Sequence, residues 1–165
     1  MKWEIALSTE HQEVYELWHN EKKLLTLDFH PFTNSARIEY AREKRVFLIR
    51  KEGFLRNKTV LRNEYGIRIG QLGFDKNKAS EGTIDLEGEK FFYSIQNNPH
   101  NELVIYKETK DHPFVVCGLK AKDGNHSVEF NKNNQLKPSQ HFLLMALCWY
   151  MFLPVAKENM VEYSS

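Results

Sequence analysis

Along most of this chain apolar and polar residues alternate with a period of two, the spacing of strands that bury one face. Between Gln12 and Trp18 the residues Val14, Glu16 and Trp18 fall on one side, and Tyr15 and Leu17 on the other. The runs 24–27, 46–49, 103–106 and 114–117 are short, apolar and rich in strand formers. Between such runs stand turn residues. Asn63-Glu64-Tyr65-Gly66 has Asn early and Gly late, Glu87-Gly88 separates two strand patterns, and Asp123-Gly124 is the strongest hairpin signal. Strand patterns recur every ~8–12 residues, as in sandwiches and barrels.

The pattern breaks after the polar loop 131–135. Pro138 and Ser139 are helix-start residues, and 142–156 then runs without a charge and without a polar face. A helix that is apolar all round must be enclosed, by protein or by lipid. These 15 residues span about 22 Å as a helix, short of a hydrocarbon core of about 30 Å. Pro154 weakens the last turn, and Lys137 and Lys157 flank the run without bias. The enclosed-by-protein reading is preferred, and no transmembrane segment is expected. A ring of about twelve strands has a lumen that something apolar must fill, and a helix about 10–12 Å across fits it. The expected fold is therefore all-β with one helix: a closed antiparallel barrel of about twelve strands (roughly 3–131) around a buried hydrophobic C-terminal helix (roughly 139–157). All 165 residues are read as one domain.

Composition adds limits. Apolar residues make up 41% of the chain, which excludes disorder. A net charge of +1 excludes a globally basic nucleic-acid binder. Cys117 and Cys148 match no metal or redox spacing and read as buried thiols. No secretory signal is evident at the N-terminus, so a cytoplasmic location, free or membrane-peripheral, is expected, and the Asn57 and Asn125 glycosylation matches read as chance. The seven histidines show no metal spacing. Asp75 to Leu86 begins like a calcium loop but has Ser80 and Leu86 where Gly and Glu are needed. No nucleophile elbow, phosphate loop or dinucleotide fingerprint occurs, so no cofactor is expected and the reading leans away from an enzyme.

Near-neutrality hides a basic segment. From Arg37 to Arg68 there are ten basic and four acidic residues, a net of +6, and all seven arginines lie there. Arginine donates a planar fork that matches phosphate. The candidate anion-binding set is Arg42, Arg45, Arg50, Lys51, Arg56, Lys58, Arg62 and Arg68. Set against this is the plain alternative that these are solvated residues on the outer faces of strands.

The strand–turn–strand run from Thr59 to Gly70 and the apolar helix 142–155, taken with the layout of the whole chain, resemble the tubby C-terminal-like superfamily. That group includes tubby domains, the plant LURP-one-related proteins and the phospholipid scramblases. The chain is most similar to the small single-domain members, without an evident Pro-rich tail or calcium loop of the scramblase type. The resemblance implies a non-enzymatic domain that binds phosphoinositides through basic residues on its wall. The expected function is thus binding of anionic phospholipid headgroups or an acidic partner surface. Two alternatives stand beside it: a lipocalin-like carrier or small enzyme with an open cavity, and a protein anchored in a membrane by 142–156.

Overall fold

The computed structural model describes residues 1–40, 45–53, 58–74, 80–96, 101–119, 126–130 and 137–164, with backbone only at 119, 126–130, 138–139 and 155–164. It contains β1 (Lys2–Ser8), β2 (Glu13–His19), β3 (Lys22–His30), β4 (Ser35–Tyr40), β5 (Arg45–Glu52), β6 (Lys58–Arg62), β7 (Arg68–Phe74), β8 (Glu81–Leu86), β9 (Glu89–Gln96), β10 (Glu102–Tyr106), β11 (Val115–Leu119), β12 (His126–Phe130) and the helix α1 (Pro138–Ser164). Every strand pairs antiparallel with its sequence neighbour, and the order brings β12 back beside β1.

Alternation decides which side chains face in. On β2 Tyr15 and Leu17 are buried while Val14, Glu16 and Trp18 are half-buried; on β3 Leu25, Leu27 and Phe29 are buried. The ladders keep the inward residues level: Leu27 pairs with Ile38, Ile38 with Phe47, Ile49 with Leu61, and Leu72 with Ile84. Turn chemistry sets those registers. Glu87 and Gly88 both have positive φ (50° and 82°), the geometry of a two-residue hairpin that matches strand twist.

The helix lies inside this curled sheet. Leu143 through Tyr150, with Phe152 and Leu153, are buried on every side, which is what an all-round apolar helix requires. Trp149 stacks on Trp3 of β1 (5.3 Å) and meets Tyr15 of β2 edge-on (5.4 Å). Tyr150 meets Phe29 of β3, Phe142 meets Tyr40 of β4, and the Cys148 thiol lies 3.6 Å from the Leu103 carbonyl on β10. Burial pushes that thiol well above its ordinary range, and both cysteines are free and buried. Among the described residues no helix is long and apolar enough to cross a membrane.

Two expectations need correction. The expected barrel is not closed by a ladder among the described residues. Among the described residues β1 and β12 share only the pair Lys2↔Ser127, whereas β1 and β2 pair from Lys2↔Trp18 to Ser8↔Glu13. The molecule is one continuous antiparallel sheet, curled around the helix, whose first and last strands share that one pair among the described residues. Register and burial bear on how far that pairing is described. Trp3 is the one buried residue of β1; from Glu4 onward the strand buries nothing, and its register slips between Ile5 and Leu7. In the register of Lys2↔Ser127, the positions opposite Glu4 to Ser8 are 121–125, which lie outside the described residues. The helix is also longer than the expected 139–157, running through Pro154 to Ser164. Proline costs one backbone bond, to the Tyr150 carbonyl, but it does not oblige a helix to stop.

Candidate functional site

Of the eight basic residues, the six that are described do not gather into one patch. Arg42 and Arg56 lie outside the described residues. The other six fall on β5, β6 and β7, and alternation and length scatter them. Arg45 is level with Tyr40 at the end of β5 where the helix begins; its guanidinium lies 4.8 Å over the Phe47 ring, with Nε 3.4 Å from Glu64. The space around it, lined by Leu25, Ile38 and Phe142 among others, is only about 10 Å³. That holds no more than one water.

Arg62 and Arg50 serve the sheet itself. Arg62 donates Nε and Nη2 to the two carboxylate oxygens of Glu52, both at 2.8 Å, and Nη1 to the Gly66 carbonyl at 2.8 Å. Arg50 Nε donates to the same carboxylate at 3.0 Å. These bonds, Arg62's foremost, hold the Glu52 carboxyl down at about 2. A fork engaged this way has little left for a phosphate. Beyond it, the turn is bound by Asn63, whose Oδ1 accepts from the amides of Tyr65 and Ile67.

Lys51, Lys58 and Arg68 remain, exposed and, among the described residues, without a carboxylate partner. Arg68 stands opposite Arg62, beside the Asn63 turn. Lys51 and Lys58 stand at the other end of the sheet, flanking the β5–β6 connection. Lys51 shares the inward side of β5 with Phe47 and Ile49, so its alkyl chain borders the interior where the sheet opens.

There a cavity of about 270 Å³ lies between the sheet and the second half of the helix, lined by Lys51, Thr59, Tyr93, Asn34 and Tyr150 with the apolar Leu72, Phe74, Ile95, Met151 and Pro154. Its polar groups are placed by the fold. Thr59 is level with Lys51 in the ladder. The Tyr150 hydroxyl donates to the Asn34 carbonyl at 2.7 Å, tying the helix to the β3–β4 turn, where Asn34 takes a positive φ of 49°. Burial pushes the Tyr93 phenol up to about 12, so it is a neutral donor at ordinary pH. Tyr93 lies over Gly82, where a Cβ would sit 2.5 Å from the ring and clash with the Gly73 carbonyl as well. A second space of about 240 Å³, lined by Phe74, Glu81, Gly82, Thr83, Tyr93 and Tyr106, adjoins the first through Phe74 and Tyr93.

An ammonium with the hydroxyls of Thr59 and Tyr93, in a cavity whose other lining is apolar apart from Asn34 and the engaged Tyr150, suits an anionic group carried on an apolar body. Of the candidate set, the structure places Lys51 there and Lys58 nearby. Sequence reading missed Thr59, Tyr93, Asn34 and Tyr150. Gly82 facing Tyr93 is a signal only once the β8–β9 register is known. Among the described residues no three His, Cys, Asp or Glu side chains cluster to hold a metal. No protein-family model matches the chain, and no curated protein or solved structure shows significant similarity to it.

Proposed function

We propose that this protein is a non-enzymatic binding domain for an anionic amphiphile, a phospholipid with a phosphorylated headgroup being the best fit. The observation that carries the reading is Lys51, a cation without a carboxylate partner among the described residues, at the mouth of the cavity that Thr59 and Tyr93 also line. An ammonium and neutral hydroxyl donors can meet phosphate oxygens, and Leu72, Phe74, Ile95 and Met151 can meet acyl carbons. The tubby-like reading belongs to the same proposal. A curled antiparallel sheet around a C-terminal helix supports it, with the difference that the wall arginines Arg50 and Arg62 are engaged by Glu52 and the binding site moves to the rim.

The test is co-sedimentation with phosphatidylcholine vesicles with and without a phosphoinositide. Binding is expected only with the phosphoinositide, and Lys51→Glu is expected to abolish it. Equal partitioning to both vesicle types rejects the lipid reading.

A second reading, an acidic protein partner, is favoured by the Asn63 turn. Tyr65 and Ile67 are 80% and 59% exposed on a rigid turn next to Arg68. It predicts that an acidic peptide shifts the amide resonances of 63–68 and leaves those around Lys51 unmoved.

A further inference from the structure

We propose that one side of the rim, at the β3–β4 turn and the adjoining ends of β5, β6 and β7, docks onto an anionic bilayer, with Phe32 and Phe74 entering the interface and Lys51 and Lys58 facing its phosphates. The inference rests on the lipid reading above and specifies how the protein meets the membrane that holds the ligand.

Phe32 and Phe74 are 72% and 59% exposed, and both stand at this end. Phe32 lies on the β3–β4 turn two residues before Asn34, which lines the cavity; Phe74 ends β7 and lines both cavities. Large apolar side chains held out in water mark contact surfaces when they cluster with complementary charge. Phe32 is held out by a stiff support. The Asn34 amide donates to the Pro31 carbonyl, the hydroxyls of Thr33 and Ser35 lie 2.6 Å apart, Tyr150 anchors Asn34, and the Phe32 ring stacks on His11 at 5.0 Å. A ring fixed in that way loses little further freedom on entering lipid.

Charge selects the partner. Among the described residues along this arc, Asp28 is engaged by Gln12 and His30, Glu52 by Arg50 and Arg62, and Glu81 by Lys110 at 2.8 Å. Glu10, on the adjoining β1–β2 turn, is the exposed acid nearest to His11 in sequence. Lys51 and Lys58 are the arc's cations without a carboxylate partner among the described residues. Two aromatic tips beside two free ammonium groups match the layered chemistry of an anionic leaflet, apolar below and phosphate above. Phe74 and Lys51 both line the cavity, so a headgroup held at this rim lies beside it. The helix passes out by the same end, with Pro154 in the cavity wall, so docking uses one side of the rim.

The experiment compares wild type, Phe32→Ala/Phe74→Ala and Lys51→Glu against two probes: phosphatidylcholine vesicles containing a phosphoinositide, and the soluble inositol phosphate headgroup alone. Thermal melts confirm that the variants fold. The phenylalanine variant is expected to lose about tenfold or more in vesicle affinity and to keep its affinity for the soluble headgroup. Lys51→Glu is expected to lose both. Unchanged vesicle binding by the phenylalanine variant overturns the docking inference while the lipid reading stands. So does wild type that binds the soluble headgroup but no vesicle. Wild type that binds neither probe overturns both.

Discussion

The pairing of Glu52 with Arg62 shows how residue-scale geometry separates a structural charge from an available one. Because the folded Glu52 carboxyl sits at about 2, below its ordinary 4.5, the pair's contribution is present above the ordinary value and is lost as pH falls toward 2. Melting temperatures of wild type and Glu52→Gln are therefore expected to differ at neutral pH and to converge between about pH 4.5 and pH 2; a difference that persists at pH 2 would show that the effect is not ionic. At the cavity, Tyr150→Phe deletes the bond to the Asn34 carbonyl and is expected to cost about 0.5–1.5 kcal/mol in denaturant unfolding. Gly82→Ala forces its methyl into the Tyr93 ring and the Gly73 carbonyl. It is expected to displace Tyr93 and weaken headgroup binding, read by titration calorimetry, with unaltered binding as the contrary result. Neither Tyr93 nor Gly82 was legible beforehand, since their opposition exists only through the β8–β9 register. Arg62 was legible as a cation but not as one already engaged.

At the scale of elements, the helix is the largest contributor to the interior. Its apolar faces leave it no solvent side, and Trp149 joins β1 and β2 to it. Trp149→Ala is expected to destabilise by about 3–5 kcal/mol in denaturant unfolding. A chain ending at Lys137 is expected to show no cooperative melt, whereas a cooperative melt would mean that the sheet closes over its own core without the helix. The strand β1 sits at the other extreme. Its residues beyond Trp3 are exposed, so their amides not paired with β2 are expected to exchange hydrogen much faster than those of β3 and β4. Equal protection would show a zipped seam. The strand pattern and the apolar helix were both legible, because alternation and an uncharged run are local properties. The seam was not, because it depends on what β1 meets after the chain has travelled round the whole sheet.

For the whole molecule the two ends differ. Where the helix enters, Tyr40, Phe47 and Phe142 leave almost no space and Arg45 is tied to Glu64. Where it leaves, the sheet is wider than the helix and the cavity opens beside Lys51. If this end meets an anionic surface, vesicle binding weakens as salt rises from about 0.1 M to about 0.5 M, because exposed ammonium groups are screened over a few ångströms. Binding indifferent to salt would leave only the apolar contribution. The amino-acid sequence by itself determined the mostly β character, the turns at 63–66 and 87–88 and the enclosed helix, since each follows from periodicity, turn chemistry or the cost of exposing apolar surface over a short stretch of chain; the Asp123-Gly124 turn lies outside the described residues. It also marked the basic segment. The tertiary structure alone decided that the described members of the segment are dispersed, that Glu52 occupies two of its arginines, that the last strand returns beside the first, and that Lys51 joins Thr59 and Tyr93 in lining one cavity. These are relations between residues far apart in the chain, and strand register and the space left by the helix set them.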